Sequence, residues 1–395
     1  MISRLLFFFL IVVTPSLCAQ NIWLTLNSGT SKNLEQLCFP SPQTGFVVGE
    51  KGTILKTTDS GVSWQGTFLD STQDFVSVSF PTTTTGYAIS GTRVYRTQNT
   101  GQSWQLISTD NVIGYKVICF VNDSTGFIGT ASGILKTVNY GNSWINIKNT
   151  GNAISSVYFT SAQTGYFSGG SSFTDQLYKT TNQGLSFTNY SLSLQSIKER
   201  VFFPNDSVGY LAGWYAGCLS KTVNGGQTWQ TINANNDTQA WDVYFRDALN
   251  GFYINNSGGF SKILSSGDGG NNWTTDIVNS SYSFKKFVFT TAGKGFAVGK
   301  SGGIYSTQLA SALPEKQNES GLFVYPNPSD GNLSLRANKE LLLVVYDHLG
   351  QQVWCAKLSG PNHPIEHLAG LSEGIYFLHA NDGNKKYIQK IIVLK

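Results

Sequence analysis

The stretch KTTDSGVSW, residues 56–64, recurs along the chain with small changes. The five further copies are RTQNTGQSW at 96–104, KTVNYGNSW at 136–144, KTTNQGLSF at 179–187, KTVNGGQTW at 221–229 and SSGDGGNNW at 265–273. Their closing aromatic residues are spaced by 40, 40, 43, 42 and 44 residues. A period of about 40 to 45 residues is typical of β-propeller blades. The repeat therefore predicts an all-β chain built around a propeller.

Each repeated unit has the content of a four-stranded blade. It opens with an apolar stretch such as LEQLCF, residues 34–39, passes a polar turn and a glycine–aromatic pair, and then enters the nine-residue motif. The glycine–aromatic pairs are Gly45-Phe46, Gly86-Tyr87, Gly126-Phe127, Gly165-Tyr166, Gly209-Tyr210, Gly251-Phe252 and Gly295-Phe296. These seven pairs predict a seven-bladed β-propeller, one blade more than the motif alone indicates.

The seventh unit lacks its last strand. It stops after GGIYST, residues 302–307, before any closing motif. The stretch NIWLTL, residues 21–26, has the pattern of the strands that follow the other motifs. We expect it to complete the seventh blade, because closing the ring removes the free sheet edges of an open propeller.

The nine-residue motif resembles the Asp-box, Ser/Thr-x-Asp-x-Gly-x-x-Trp, and its residue types suit a tight turn. Asp or Asn accepts hydrogen bonds from turn amides, Gly adopts backbone angles that other residues avoid, and Trp packs between blades. Four of the six copies carry Asn, which a metal site or a catalytic acid would not tolerate. We therefore expect structural roles for Asp59, Trp64, Asn99, Trp104, Asn139, Trp144, Asn182, Phe187, Asn224, Trp229, Asp268 and Trp273.

Both ends of the chain differ from the repeated part. Residues 1–19 combine Arg4 with an apolar run and small residues, which predicts a secretory signal peptide that is too short to span a bilayer. A propeller at 20–308 is followed by a polar stretch at 309–321 that is typical of a linker. Residues 322–395 hold short alternating strands between turn dipeptides, which predicts a small antiparallel β-sandwich. No transmembrane segment is expected in the mature chain.

The tail also carries a specific set of motifs. They are Tyr325-Pro326-Asn327-Pro328, Gly331-Asn332-Leu333, the turn from Tyr346 to Gly350, Leu371 with Gly374-Ile375-Tyr376, and the close Lys390–Lys395. In these the tail closely resembles the C-terminal sorting domain of the type IX secretion system of Bacteroidota. The resemblance implies that the secretion machinery reads residues 322–395 and removes them. The propeller would then be secreted or attached to the outer-membrane surface.

Composition excludes several kinds of site. The formal net charge of +4 is too weak and dispersed to predict nucleic-acid binding. All four histidines lie in the tail, so the propeller has neither a Ser-His-Asp triad nor a histidine metal site. Phosphate loops and cysteine-pair metal spacings are absent as well, and we expect no cofactor and no metal. Cys38 and Cys119 occupy the same position in blades one and three, too far apart for a disulfide, and are expected to be buried thiols.

An enzyme remains an alternative, because Asp-box proteins include sialidases and other glycoside hydrolases. The propeller contains only four arginines, Arg93, Arg96, Arg200 and Arg246, which is too few for the arginine grip of a sialidase. A two-carboxylate glycosidase needs only two acids that face each other across a sugar. Asp74 and Asp242, near the starts of innermost strands, are the candidates for that alternative.

From Ile22 to Thr307 the chain resembles the photosystem II assembly and stability-factor family, whose seven-bladed propellers carry the same Lys-Thr-x-Asp/Asn-x-Gly-x-x-Trp blades. The resemblance implies a protein-binding scaffold, and the lack of an assembled catalytic set favours a non-catalytic one. An arginine-rich patch is implicated in partner binding in photosynthetic members, and this chain lacks one. The photosynthetic role is therefore not expected here.

The repeats differ most where the first strands begin and the second strands turn into the third. Aromatic residues beside cations suit contacts with a protein or a glycan. We therefore predict a binding face for an extracellular protein or glycan. Its candidate residues are Lys51, Tyr115, Phe173, Lys198, Arg200, Trp214, Tyr215 and Trp241.

Overall fold

The protein is described by a computed structural model that divides into two compact units, Met1–Gln308 and Leu309–Lys395. The described residues are 23–108, 114–171, 174–192, 197–215, 218–232, 237–279, 283–307, 322–325, 333–337, 340–347, 351–359, 366–368, 370–372, 374–381 and 386–393. The predicted signal peptide and the predicted linker lie outside these ranges.

The first unit is a seven-bladed β-propeller of four-stranded antiparallel sheets, as predicted. After β1 (Trp23–Leu26), blade one consists of β2 (Leu34–Cys38), β3 (Gly45–Gly49), β4 (Thr53–Thr57) and β5 (Gln65–Phe68), and blade two of β6 (Phe75–Ser79), β7 (Gly86–Ser90), β8 (Val94–Thr97) and β9 (Gln105–Ser108). Blade three consists of β10 (Tyr115–Phe120), β11 (Gly126–Thr130), β12 (Gly133–Thr137) and β13 (Ile145–Asn149), and blade four of β14 (Ile154–Phe159), β15 (Gly165–Ser171), β16 (Thr174–Thr180) and β17 (Thr188–Ser191). Blade five consists of β18 (Ile197–Phe202), β19 (Gly209–Trp214), β20 (Leu219–Thr222) and β21 (Gln230–Thr231), blade six of β22 (Asp242–Phe245), β23 (Gly251–Asn255), β24 (Ser261–Ser266) and β25 (Thr274–Asn279), and blade seven of β26 (Phe284–Phe289), β27 (Gly295–Gly299) and β28 (Ile304–Thr307). A short 3-10 turn, Lys300–Gly302, lies between β27 and β28.

The N-terminal strand closes the ring. β1 pairs antiparallel with β28, with Trp23 opposite Thr307 and Leu26 opposite Ile304. The seventh sheet therefore has the order β1-β28-β27-β26 from the outside inward. This confirms that the strand beginning at Trp23 completes the blade that the seventh unit leaves unfinished.

A stacked pair of aromatic rings joins each blade to the next. Phe80, at the end of the first strand region of blade two, stacks on Phe46 of blade one with ring centroids 4.2 Å apart. The glycine of each glycine–aromatic pair makes room for this ring, because a Cβ on Gly86 would lie 2.3 Å from Phe80. The equivalent stacks are Phe120 on Tyr87, Phe159 on Phe127, Phe203 on Tyr166, Phe245 on Tyr210, Phe289 on Phe252 and Phe39 on Phe296. The glycine–aromatic pairs therefore form the interfaces between blades.

The Asp-box side chains hold the turns between third and fourth strands. Asp59 Oδ1 accepts hydrogen bonds from the hydroxyl of Thr57 at 2.7 Å and from the amide of Ser63 at 2.9 Å. Asn99 accepts the same amide bond from Ser103, also at 2.9 Å. Equivalent bonds reach Asn139, Asn182, Asn224 and Asp268. Asn and Asp are interchangeable here because the shared carbonyl-type oxygen makes the bond.

The aromatic residues that close the motifs lie against the stacked rings. Trp64 makes edge contacts with Phe39 at 6.0 Å and with Phe296 of blade seven at 6.4 Å. Trp104, Trp144, Trp229 and Trp273 make equivalent edge contacts with Phe80, Phe120, Phe203 and Phe245. In blade four, Phe187 instead contacts Phe167, whose ring packs edge-on against the stacked pair of Phe127 and Phe159. Trp23 fills this place in blade seven, with its ring 6.3 Å from that of Phe252 in blade six. The closing aromatic residues of the motifs thus pack against the aromatic rings at the interfaces between blades.

The Lys or Arg that opens the motif ties neighbouring blades together. Lys136 Nζ donates to the carbonyl of Gln183 in the next blade at 2.7 Å, and Lys179 Nζ donates to that of Gly225 at 2.9 Å. Both ammonium groups also lie over an aromatic ring of their own blade. Since these carbonyls lie in Asp-box turns, a cation satisfies acceptors that the turn exposes.

The second unit is a small antiparallel β-sandwich, as predicted. Its strands are β29 (Leu322–Tyr325), β30 (Leu333–Ala337), β31 (Glu340–Tyr346), β32 (Gln352–Ser359), β33 (Glu366–Leu368), β34 (Gly374–Asn381) and β35 (Lys386–Val393). One sheet has the order β29-β30-β33, and the other has β32-β31-β34-β35. Leu335 of the first sheet packs with Leu341, Leu343 and Leu378 of the second, all fully buried.

Candidate functional site

The innermost strands of the blades surround a central channel. In six of these strands the register with the second strand slips by one residue near the strand start, as in β10 between Tyr115 and Val117. Such a β-bulge turns successive side chains toward the same side, and here that side is the channel. The polar residues that line the channel cavity are Glu35, Gln36, Ser77, Lys116, Ser155, Ser156, Arg200 and Lys286.

The channel cavity is narrow. Water centres can reach only about 60 Å³ of it, and one water needs roughly 10 to 15 Å³ of such volume. The cavity therefore has room for a few waters or one small ion.

One lining position repeats as a hydrogen bond between innermost strands. Ser77 Oγ accepts from the amide of Ile118 in the next blade at 3.0 Å, and Ser156 Oγ accepts from that of Val201 at 3.2 Å. Asp242 Oδ2 makes the same bond with the amide of Phe287 at 2.9 Å. Asp242 therefore occupies a structural position that serine fills in other blades.

Both carboxylate oxygens of Asp242, a candidate catalytic acid, are engaged by neighbouring groups. Its side chain is 3% exposed, and its Oδ1 accepts from Lys286 Nζ at 2.9 Å while Oδ2 holds the amide of Phe287. Burial lowers the pKa of Lys286, and the Asp242 carboxylate opposes that shift. Asp74 does not line the channel cavity, and its Oδ1 accepts from the amide of Lys51 at 2.9 Å. The cavity thus offers no facing pair of these two carboxylates for glycoside chemistry.

Replacing Asp242→Asn is expected to lower the free energy of unfolding by about 2 kcal/mol, since Lys286 loses a charged hydrogen-bond partner. Urea denaturation checks this. Asp74→Asn is the matched control and should change stability by less than about 0.5 kcal/mol, because Asp74 is exposed. Equal losses for the two variants would contradict the structural role of Asp242.

Two of the predicted aromatic residues, Trp214 and Trp241, come together where the innermost strands begin, and Tyr215 follows Trp214 in the chain. The rings of Trp214 and Trp241 lie 4.8 Å apart, and Lys285 Nζ lies 5.2 Å from the centre of the Trp241 ring. Lys285 also pairs with Glu35 at 3.1 Å. We call Trp214, Tyr215, Trp241 and Lys285 the aromatic rim.

Tyr215 is the most exposed member of the aromatic rim. Its side chain is 57% exposed, and its backbone has a positive φ of 72°. A residue other than glycine in this conformation costs on the order of 1 kcal/mol, and such residues often lie at functional sites. Its amide donates to the carbonyl of Thr238 at 2.6 Å, which fixes the segment from which the ring projects.

Two predicted face residues lie elsewhere. Tyr115 is a core residue, 1% exposed and packed with Tyr87, Ile89 and Ile128, so its place on the binding face is corrected. The bulge at Tyr115 turns the next residue, Lys116, to the channel instead. Arg200 lines the channel cavity, and its Nη1 donates to the carbonyl of Ser155 at 2.9 Å.

The remaining predicted face residues are less well placed for a common site. Lys51 lies in the turn between β3 and β4 and is exposed, with a φ of 53°. Lys198 lies in β18, opposite Gly213 of β19, and the side chain of Lys198 lies outside the described part. Phe173 lies outside the described residues.

Sequence reasoning missed four charged residues of the channel and the aromatic rim: Glu35, Lys116, Lys285 and Lys286. A signal was present, because LEQLC, YKVICF and FKKFVF each carry charge inside an apolar innermost strand. Charges in a strand otherwise packed between blades have to face the channel, which is the one solvated side.

Two cysteines of the propeller, Cys38 and Cys119, are unreactive. Burial raises the pKa of the Cys119 thiol to about 12, and that of Cys38 also rises by burial, so neither is a nucleophile near neutral pH. Neither thiol is bridged, as their equivalent positions predicted, whereas Cys355 is an exposed free thiol in the second unit. Within the described ranges no group of His, Cys, Asp and Glu could hold a metal ion.

The propeller matches a known family over its whole length. The family model described as photosynthesis system II assembly factor YCF48 covers residues 16–307. This chain belongs to the YCF48 family. The remainder, residues 323–394, matches the secretion system C-terminal sorting domain. This sorting domain implies export of the YCF48-type propeller, into the medium or to the cell surface.

Solved structures share the YCF48 fold at low identity. A structure described as YCF48 bound to D1 peptide is 19% identical, with a TM-score of 0.64, covering 73% of this chain and 97% of its own. YCF48 from Cyanidioschyzon merolae is 19% identical with a TM-score of 0.63, covering 73% and 99%. The GH74 enzyme of Niastella koreensis is 13% identical with a TM-score of 0.53, covering 94% and 74%. No curated protein matches this chain. Among the described residues, no helix is long and apolar enough to cross a membrane.

Proposed function

We propose that this protein is a non-catalytic binding scaffold that is exported and contacts an extracellular protein through its aromatic rim. The observation that carries the proposal is Tyr215, an exposed aromatic residue with a left-handed backbone that follows Trp214 in the chain, whose ring in turn lies against that of Trp241. Trp and Tyr are the residues that most often dominate protein interfaces.

The surroundings of the aromatic rim also suit a polypeptide partner. Lys285 bridges the Trp241 ring and Glu35, so a cation and a carboxylate flank the aromatic surface. Flat rings bordered by polar groups bury apolar side chains of a partner while the polar groups bond its backbone. The relative described as YCF48 bound to D1 peptide supports a peptide ligand for a propeller of this fold.

Export follows, in this proposal, from the two ends of the chain. Residues 1–19 act as the signal peptide, residues 309–321 act as a linker, and the type IX machinery of a Bacteroidota outer membrane reads residues 322–395. The match of 323–394 to the sorting domain supports the last step. After removal of the tail the propeller is released or attached to the cell surface.

Replacing both Trp214→Ala and Tyr215→Ala is expected to weaken partner binding at least about tenfold, since each buried aromatic anchor commonly contributes 2 kcal/mol or more. The measurement is quantitative affinity capture from the native culture, followed by mass spectrometry and titration of the captured protein. Phe68→Ala is the matched control, because Phe68 is 60% exposed on β5, away from the aromatic rim. Capture that falls equally with Phe68→Ala would count against the site.

Glycan arrays separate the two ligand classes. If the partner is a protein, no glycan on the array should give a signal that depends on Trp214. A glycan signal that is lost in the double variant would show that the aromatic rim is the binding site but that its ligand is a glycan. The hydrolase alternative gains no support from the engaged carboxylate of Asp242. Release of sugar from polysaccharides, abolished by Asp74→Asn, would overturn the non-catalytic proposal.

A further inference from the structure

The segment that leads from blade five into blade six, residues 237–241, departs from its counterparts in other blades. In blade one the corresponding segment lies directly over the glycine that ends the second strand, because a Cβ on Gly49 would be only 2.1 Å from the carbonyl oxygen of Asn33. In the same way Ala153 lies over Gly169 in blade four, and Ser283 lies over Gly299 in blade seven. Two stretches of backbone approach this closely only where a glycine leaves the space.

Blade six carries an asparagine at this position. Asn255 is the last residue of β23, as Gly49 is of β3, and each is the fifth residue of its strand. The side chain of Asn255 is fully buried, and its Nδ2 donates to the carbonyl of Gln239 at 2.8 Å. Because a Cβ leaves no room for a carbonyl directly over the backbone, the segment 237–241 is displaced relative to its counterparts. The side-chain amide of Asn255 holds it in the displaced position.

The displaced segment joins the end of blade five. Gln239 forms an antiparallel bridge with Trp214, and the amide of Tyr215 donates to the carbonyl of Thr238 at 2.6 Å. Trp241 ends the segment, and its ring lies 4.8 Å from that of Trp214. The position of this segment therefore decides whether the rings of the aromatic rim meet.

A second residue of β23 holds the other end of the segment. Tyr253 is fully buried, and its hydroxyl donates to Asp237 Oδ2 at 2.6 Å. Tyr253 is the third residue of its strand, and at that place the other blades carry an apolar residue without a hydroxyl: Val47, Ala88, Ile128, Phe167, Leu211 and Ala297. Blade six thus departs from the repeat at two buried positions, and both side chains bond the same segment.

We propose that Asn255 and Tyr253 are positioning residues of the aromatic rim. By holding residues 237–241 against the end of β19, they fix Trp214, Tyr215 and Trp241 before a partner is bound. A preorganised site binds more tightly, because less loop and side-chain freedom is lost on association. The purpose of this arrangement rests on the proposed function, whereas the arrangement itself is a property of the unbound protein.

Fluorine NMR of the purified full chain, labelled with 5-fluorotryptophan, tests the positioning without a partner. Trp214→Phe and Trp241→Phe assign the two resonances among those of the nine tryptophans. In Asn255→Gly we expect both resonances to shift while those of the other tryptophans stay in place, because the two rings lose their contact. Tyr253→Phe keeps the aromatic ring, loses the bond to Asp237, and should shift the same two resonances by a smaller amount.

Thr130→Gly is the matched control, because Thr130 is also the buried fifth residue of a second strand, in blade three. It should leave the resonances of Trp214 and Trp241 unchanged. Unshifted resonances in Asn255→Gly, or equal shifts in Thr130→Gly, would overturn the inference. If Asn255→Gly does not fold, Tyr253→Phe decides by the same criterion.

A binding titration separates this inference from the proposed function. Its probe is the protein that the wild-type chain captures from the native culture. Asn255→Gly should weaken the affinity for that protein at least about tenfold, since the rim then has to be ordered on binding, and Thr130→Gly should not. Shifted resonances with unchanged affinity would leave the positioning role of Asn255 in place and count instead against the aromatic rim as the binding site.

Discussion

Removal of residues 322–395 is expected to abolish export and leave the propeller in the periplasm. The deleted part contains the whole match to the sorting domain, residues 323–394, and an exported chain without this signal has nothing for the outer-membrane machine to read. Immunoblots of the periplasm, the cell surface and the medium, with protease added to intact cells, measure the outcome. We expect accumulation in the periplasm to be close to complete.

The truncation has to fold for this result to be informative. Met1–Gln308 forms a compact unit of its own, so the truncated propeller should melt within a few degrees of the full chain. Val353→Ser is a control within the sorting domain, because Val353 is 43% exposed and its loss should leave export unchanged. Normal amounts of the truncated propeller outside the cell would contradict the sorting role.

Trp23→Ala is expected to lower the free energy of unfolding by about 3 to 5 kcal/mol, the range for large aromatic residues in cores. Trp23 is 6% exposed and packs against Phe252, Phe287 and Phe289. These rings belong to blades six and seven, so the substitution removes contacts at the place where the ring closes. Urea denaturation followed by tryptophan fluorescence and circular dichroism measures the loss.

The neighbouring residue provides the control. Leu24 lies in the same strand and pairs with Ser306, but its side chain is 41% exposed. Leu24→Ala should therefore cost less than about 1 kcal/mol. If both substitutions destabilised the protein equally, strand pairing rather than the burial of Trp23 would be the source of the effect.

The fold was predictable because its period is written directly in the sequence. The glycine–aromatic pairs counted the blades correctly, since every blade needs one glycine beside one ring. The reason for the pair was not foreseen, although a phenylalanine precedes each such glycine by six residues, as Phe39 precedes Gly45. That phenylalanine contacts the glycine of its own blade and stacks on the aromatic residue of the blade before it.

The residues of the proposed aromatic rim are only in part those that the sequence predicts for a binding face. Trp214, Tyr215 and Trp241 were recognised because aromatic residues outside the repeat pattern are conspicuous. Tyr115 was misplaced, because a bulge in β10 breaks the alternation by which side chains of a strand are assigned to faces. The role of Asp242 depends on bonds to Lys286 and Phe287 of the next blade. A sequence pattern describes the strands of one blade and does not show which residues of the next blade lie opposite them.

Closure of the ring by β1 has a kinetic consequence. Trp23 and Thr307 pair with each other from opposite ends of the propeller sequence, so their contact has the longest chain separation among the strand pairings of the described propeller residues. Contacts of this kind form late, because the entropy of closing a long loop is lost before the contact stabilises anything. A chain that passes through a membrane pore N-terminus first therefore stays an open arc of blades until its last blade has emerged.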